Sequence, residues 1–182
     1  MPYSSISETE INNRYQLLAA YIQVNEANLN ANDFLQIRQG GLDNFLPDGH
    51  ALKGKNIFVL NRTNRKSFLH LAATEENLSL INFLKETGHE INRQDAQHKT
   101  ALYDACDNLK LAAVNQLLGY DADPNLGNGH LKVKEGNQEY TGETVPLVAT
   151  IESKATVTAA ELSSATGQDF SQLTTEQATE QA

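Results

Sequence analysis

Histidines, carboxylates and a single cysteine are the side chains of this sequence that could take part in catalysis or bind a metal. The five histidines are His50, His70, His89, His98 and His130. No two of them have the H-x-x-x-H spacing that places two imidazoles on one helical face around zinc. No glycine-rich phosphate-binding loop of the G-x-x-x-x-G-K type is expected either.

Asp104 and Asp107 come closest to a catalytic pair of carboxylates, because they stand three residues apart on a predicted helix. The simplest explanation of this spacing is a pair that faces solvent or a partner. Cys106 stands between them at a position predicted to face a helix–helix contact. A small buried thiol is expected there rather than a nucleophile. We therefore expect no enzymatic activity, no metal site and no cofactor.

The charge of the chain argues against two classes of partner. Its 182 residues include 14 lysines and arginines and 23 aspartates and glutamates, which gives a formal net charge of −9. Nucleic acids and anionic membranes are bound by clustered cations, so neither is expected as the main partner. The longest apolar run, Ile57–Leu60, is too short to span a bilayer. Residues 1–20 lack the pattern of a secretory signal, and we expect a soluble, monomeric, cytoplasmic protein.

One stretch departs from this acidic composition. Five cations follow one another with no acidic residue between them, namely Lys53, Lys55, Arg62, Arg65 and Lys66. One interpretation is a docking patch for an acidic partner. The simpler interpretation is a solvated edge, because five cations over this length are ordinary.

The strongest signal in the sequence is a repeat with a period of 33 residues. Residues 67–99 align without a gap with residues 100–132. The matched positions are Ser67 with Thr100, Leu69 with Leu102, Ala72 with Ala105, Leu84 with Leu117 and Asn92 with Asn125. Each unit is predicted to be helix, turn, helix and loop, because a capping hydroxyl precedes apolar residues at helical spacing. Neither helix pair buries both of its faces alone, so the units must stack.

The repeat resembles the ankyrin repeat family, which opens its first helix with T-P-L-H-x-A-A and closes its second with G-A-D-V-N. The corresponding segments are S-F-L-H-L-A-A at 67–73, T-A-L-Y-D-A-C at 100–106, G-H-E-I-N at 88–92 and D-A-D-P-N at 121–125. The resemblance is clearest over 62–128. It implies a mainly α fold, an ankyrin-type α-solenoid of stacked helix-turn-helix repeats, in which His70 bridges backbone groups of neighbouring loops.

The chain departs from the family pattern at its glycines. Arg65 and His98 replace the glycine that precedes the first helix, and Glu76 and Leu109 replace the glycine between the helices. The array is therefore divergent, although its apolar stripes remain.

A third, interrupted unit is predicted further along the chain. Val145–Ile151 aligns with the segment starting at Thr100 at an offset of 45, so 12 residues are inserted. Residues 131–141 within the insertion have the pattern of a β-hairpin. We therefore predict about three repeats over 62–161, with the hairpin near 129–143. A capping helix or polar tail follows over 162–182.

Residues 1–61 are predicted to be a helical N-terminal cap, because the end of a repeat array would otherwise expose apolar surface. Ser7 and Glu10 have the spacing of a capping box. The apolar stripe of the main helix is Ile11, Tyr15, Leu18 and Ile22. Two short helices over 33–39 and 42–46 would form a degenerate first repeat, followed by an extended segment over 57–60.

The resemblance implies a protein–protein interaction module, a scaffold or adaptor without catalysis. The family binds partner proteins through a concave surface made of its loop tips and first helices. The residues at those positions here are Thr63, Asn64, Lys66, Thr74, Glu75, Gln94, Ala96, Gln97, Lys99, Asp107, Asn108 and Tyr120. Tyr120 is the expected anchor, because buried aromatic side chains often dominate binding energy.

Two alternative functions stay open at this point. The first is a secreted bacterial effector that uses the same surface on a host protein in the host cytoplasm. Its support is an acidic C-terminal tail with Glu161, Glu176 and Glu180 and no basic residue. The second is the regulatory part of an enzyme whose chemistry lies in residues 1–61.

Overall fold

The N-terminal third of the chain forms two helices that lie against the repeats. The computed structural model describes residues 3–126, 130–135 and 138–143. Helix α1 spans Glu8–Asn25, and its buried face holds all four residues of the predicted stripe. Helix α2 spans Ala31–Gly40 and is followed by a short 3₁₀ turn over Asp43–Phe45. This turn replaces the second of the two predicted short helices.

The capping box predicted at the start of α1 is half formed. The Ser7 hydroxyl accepts a hydrogen bond from the Glu10 amide, as predicted. The Glu10 carboxylate does not complete the box, because it pairs with Arg14 and Lys55.

The extended segment predicted over 57–60 belongs to a small parallel sheet. Strand β1 spans Ser4–Ile6 and strand β2 spans Val59–Asn61, with Ser4 opposite Val59 and Ile6 opposite Asn61. No sequence pattern indicated β1, which is three residues long and pairs with residues far along the chain. The pairing fixes the start of α1 against the loop that precedes the first clear repeat.

The predicted repeats are present as two stacked helix pairs. Helices α3 (Phe68–Glu75) and α4 (Leu78–Glu86) form one pair, and α5 (Ala101–Asp107) and α6 (Leu111–Gly119) form the next. Helix α3 packs on α5 and α4 packs on α6, so first helices stack on first helices and second on second. Leu84 and Leu117 are fully buried in the same core. The structure confirms the mainly α, stacked-repeat fold.

Helices α1 and α2 both pack on α4, so they cover one side of this stack. The ring of Tyr15 lies 5.9 Å from that of Phe68, and the ring of Phe34 lies 6.1 Å from that of Phe83. These aromatic contacts bring residues of both N-terminal helices into the repeat core.

The loops keep their tight geometry at every position where the family glycines are replaced. Arg65, Glu76, His98 and Leu109 have φ values of 59°, 57°, 61° and 60°, in the left-handed region. A residue with a Cβ pays about 1–2 kcal/mol to adopt this conformation. Packing of the neighbouring helices therefore imposes the loop shape, since glycine is not there to favour it.

A β-hairpin follows the second repeat, as predicted. Strand β3 spans His130–Glu135 and strand β4 spans Gln138–Glu143, and they pair antiparallel with Lys132 opposite Thr141. The predicted third unit at Val145–Ile151 and the predicted cap or tail over 162–182 lie outside the described residues. Among the helices of the described part, none has the length and apolar character needed to cross a membrane.

Candidate partner-binding surface

Two loops that precede the first helices stand side by side at one end of the repeats. We call residues 61–66 the first tip and residues 94–99 the second tip. A backbone hydrogen bond of 2.8 Å from the Ala96 amide to the Asn64 carbonyl joins them. The tips, together with the exposed sides of α3 and α5, are called the tip surface below.

A buried side chain shapes each tip from the inside. In the first tip, the Asn61 side-chain oxygen accepts a hydrogen bond of 2.8 Å from the Thr63 amide. In the second tip, one Asp95 carboxylate oxygen accepts from the Gln97 and Lys99 amides at 2.8 and 3.0 Å. Side chains that bond to backbone amides two to four residues onward are a common device for fixing turns. Neither Asn61 nor Asp95 was predicted to have this role, although Asn and Asp in a loop are the sequence signal for such turns.

Lys66 links the two tips to α5 through ion pairs. Its ammonium nitrogen lies 2.9 Å from Asp95 Oδ2 and 2.5 Å from Asp104 Oδ2. Burial by itself lowers the pKa of Lys66, but attraction to the two carboxylates outweighs it and raises the pKa overall. Burial raises the pKa of Asp104, whereas hydrogen bonds from Lys66 and the Lys99 amide hold the pKa of Asp95 below its usual range despite burial.

This ion pair corrects two expectations. Asp104 was predicted to face solvent or a partner together with Asp107, but its side chain is buried beneath the tips. Asp107 is exposed, so the two carboxylates do not form a pair. Lys66 was predicted to contact a partner, but its ammonium is directed to the internal carboxylates. The i,i+3 spacing could not reveal this difference, because it depends on how the next repeat is stacked.

His70 bridges the start of α3 and the second tip, in agreement with the role that the resemblance implies. Its Nδ1 accepts a hydrogen bond from the Ser67 amide at 3.1 Å, and its Nε2 lies 2.9 Å from the Lys99 carbonyl. These partners require the neutral tautomer that carries its proton on Nε2. Burial lowers the pKa of His70, which is consistent with a neutral ring.

His70, Asp95 and Asp104 are close enough to suggest a metal site, because one ligand atom of each lies within 4.8 Å of the others. Each of these groups already has another partner. Both ring nitrogens of His70 face backbone groups, and the Lys66 ammonium lies between the two carboxylates. We interpret the cluster as an internal ion pair that supports the tips.

Contrary to expectation, residues 49–55 match the first part of a phosphate-binding signature, G-x-x-x-x-G-K. Gly49, Gly54 and Lys55 have the spacing of that signature, but Asn56 stands where it requires a hydroxyl. The segment leads into strand β2, whereas a phosphate-binding loop leads from a strand into a helix. The Gly54 amide donates to Asp43, and Lys55 pairs with Glu10, so both groups are engaged within the protein.

Six of the predicted contact residues are exposed, and the others are partly buried. The exposed ones are Thr63, Glu75, Ala96, Gln97, Asp107 and Asn108. The partly buried ones are Asn64, Lys66, Thr74, Gln94, Lys99 and Tyr120. Eleven of the twelve lie on the tips or on the first helices and their C-terminal ends.

Tyr120 does not extend this row as predicted. Its hydroxyl donates a 2.7 Å hydrogen bond to Asn82 of α4 and accepts one of 3.2 Å from Gln116 of α6. The Lys85 ammonium lies 5.1 Å from the centre of its ring. Tyr120 therefore belongs to the side formed by the second helices, where it links α6 to α4. Tyr120 was predicted to lie on the tip surface because it precedes the position of the family glycine that ends the second helix. The loop that starts there runs from the second helices towards the tips.

Comparison with known protein families agrees with this architecture. Residues 41–128 match the family model described as Ankyrin repeats (3 copies). The match begins at residue 41, whereas the resemblance seen in the sequence is clearest from residue 62 onward. The additional residues include strand β2. Ankyrin repeats are generally protein–protein interaction modules and are typically non-catalytic. The match, the stacked helix pairs and the linked tips together show that residues 41–128 of this chain are ankyrin repeats.

Proposed function

We propose that this protein is a non-catalytic module that binds a partner protein through the tip surface. The observation that carries the proposal is the way the tips are built. Buried groups join them from beneath, while Thr63, Ala96 and Gln97 are left exposed above. The proposal follows the general use of ankyrin repeats and assigns this use to particular residues.

The buried network supports binding because it fixes the surface before a partner arrives. The Lys66 ion pairs, the His70 bridge and the bond from Ala96 to Asn64 all cross from one repeat to the next. A surface that is already ordered loses little conformational entropy on binding, and this increases affinity. Most of the exposed groups on the tips are polar or charged, which suits a hydrated interface of moderate affinity.

The test uses two matched alanine-to-arginine variants. Ala96 is exposed on the second tip, and Ala112 is exposed on the second helix α6, outside the tip surface. We expect Ala96→Arg to abolish capture of a specific partner from a cell lysate, because the bulky charged side chain obstructs the tips. Ala112→Arg should leave capture unchanged. Direct binding to the purified partner would then confirm the interaction.

The opposite pattern would refute the proposal. A partner that is retained by Ala96→Arg and lost with Ala112→Arg binds the second helices. Circular dichroism melts of both variants are needed to show that each remains folded.

The two alternatives stay predictions from the sequence. The effector hypothesis depends on Glu161, Glu176 and Glu180, which lie outside the described residues. For the enzyme hypothesis, the best candidate within residues 3–61 is the segment over 49–55, whose lysine and Gly54 amide are engaged internally.

A further inference from the structure

We propose that the tip surface binds an acidic segment of its partner protein, with Arg62, Arg65 and Lys99 as the contacting cations. This inference rests on the proposed function and adds the chemical class of the partner. It follows from the internal contacts of each cation in the basic stretch, for which the sequence alone allows two interpretations.

Three of the five cations in that stretch are engaged within the protein. Lys53 pairs with Asp48, Lys55 pairs with Glu10, and Lys66 pairs with Asp95 and Asp104. The other two, Arg62 and Arg65, are exposed on the first tip and form no ion pair within the described residues. Of the five cations, two guanidinium groups on one turn are thus left without an ion pair to any residue that the structure describes.

Lys99 adds a third cation on the neighbouring tip. Its amide is fixed by Asp95, and its carbonyl accepts from His70, so the backbone position is well defined. Its ammonium lies 4.9 Å from the centre of the Tyr103 ring and forms no ion pair within the described residues. The bond between Ala96 and Asn64 keeps this tip next to the one that carries the arginines.

The tips are locally positive although the chain is acidic. The two tips carry four cations, and the carboxylates in contact with them are Asp95 and Asp104, which leaves a net charge of about +2 if both are ionised. The exposed acids of the tip surface, Glu75 and Asp107, stand at the far ends of α3 and α5. These helices of eight and seven residues put the acids about 10–12 Å from the tips.

This arrangement favours a carboxylate-rich protein segment as the ligand. Arginine binds carboxylates through two parallel hydrogen bonds, and exposed, unpaired guanidinium groups are available for this geometry. A nucleic acid also carries anions, but it would bring many phosphates close to a chain of net charge −9. An acidic peptide places a few negative charges at the tips and avoids most of that repulsion.

The first experiment is an NMR titration with two peptides of defined charge. The probe is (Glu-Gly-Ser)₄, and its uncharged counterpart is (Gln-Gly-Ser)₄. We expect the acidic peptide to shift the amide signals of residues 61–66 and 94–99, and the uncharged peptide to leave them unchanged. Equal shifts with both peptides, or shifts confined to the second helices, would overturn the proposal.

Two variants of equal net charge distinguish the effect of the cations on the tips from the effect of the net charge of the protein. The tip variant combines Arg62→Gln, Arg65→Asn and Lys99→Gln, and asparagine is chosen at 65 because it tolerates a positive φ. The control combines Arg38→Gln, Lys53→Gln and Lys110→Gln, which remove three cations outside the tips. The tip variant should bind the acidic peptide about tenfold more weakly, as expected from the loss of three solvent-exposed ion pairs. An equal loss in the control would show that total charge governs binding, and this would overturn the proposal.

The natural partner distinguishes this inference from the proposed function. If Ala96→Arg abolishes partner binding and the tip variant binds normally, the tip surface is the interface but the acidic class is wrong. If Ala96→Arg has no effect, both proposals fail. Tighter binding of single-stranded DNA than of the acidic peptide, at the same salt concentration, would also overturn the choice of a protein ligand.

Discussion

Acidification is expected to destabilise this protein through His89. The side chain is 4% exposed, and its ring stacks on that of Phe58 at 4.2 Å. Its Nε2 lies 3.1 Å from the Ile57 carbonyl, and the edge of the Tyr3 ring completes the pocket at 6.1 Å. Burial lowers the pKa of His89 to about 4, with only partial compensation from the Ile57 carbonyl.

The sign and size of the effect follow from this pKa. An unfolded chain binds a proton at His89 near pH 6.5, whereas the folded protein does not until the pH approaches 4. The stabilisation is therefore complete above pH 6.5 and is lost progressively as the pH falls to 4. Each pKa unit corresponds to about 1.36 kcal/mol, so the loss is about 2 kcal/mol at pH 5 and at most about 3 kcal/mol.

The assay is urea unfolding between pH 7.5 and 4.5, monitored by circular dichroism. His89→Gln keeps a side-chain N–H and removes the titration, so its free energy of unfolding should fall by about 2 kcal/mol less than that of the wild type at pH 5. His98→Asn is the control, because His98 is exposed at a φ of 61° that asparagine tolerates. It should lose as much stability as the wild type.

Two results would refute this reasoning. The first is a wild-type pH dependence that persists in His89→Gln, which would assign it to other groups such as His70. The second is an NMR titration of the His89 ring with a pKa near 6.5 in the folded protein. Either result would show that the burial of this ring does not control its protonation.

Two further predictions concern the loops and the ion pair. Leu109→Gly should stabilise the protein by about 0.5–1 kcal/mol in thermal melts, because it removes left-handed strain at the cost of some chain entropy. Leu109→Ala keeps the strain, so a gain of the same size there would contradict the explanation. Lys66→Met should destabilise by about 2–3 kcal/mol at pH 7, less than a fully buried pair because Lys66 is partly exposed. This loss should shrink by pH 4, as Asp104 becomes protonated in the absence of the cation, and a loss independent of pH would argue against a charge effect.

Much of the fold could be predicted from local sequence patterns. The stripe from Ile11 to Ile22 gave α1 because helical periodicity reports burial directly. The 33-residue period gave the stacked helix pairs, since equivalent residues of the two units, such as Leu84 and Leu117, are buried alike. Strand β1 could not be predicted, because three residues carry no usable period and the partner strand lies more than fifty residues away.

The candidate site was less predictable because it depends on contacts between repeats. Alignment put Lys66 and Asp104 among groups that face outward, yet they meet across the interface of two repeats. Tyr120 was assigned by its place in the sequence, and its contacts with Asn82 and Gln116 exist only once α4 and α6 are stacked. A pattern within one repeat indicates which residues face the neighbouring repeat, but it does not indicate which side chains of that repeat they contact.

The bond between Ala96 and Asn64 holds the loops of two consecutive repeats together, so a ligand that binds both loops should also affect the stability of the array. A partner that contacts both loops connects two consecutive repeats, so its binding disfavours their separation. Its presence should therefore raise the melting temperature of the array. A fragment that ends before residue 94 would keep Arg62 and Arg65 but lose the second tip, which holds the first tip in place. We expect such a fragment to lose partner binding.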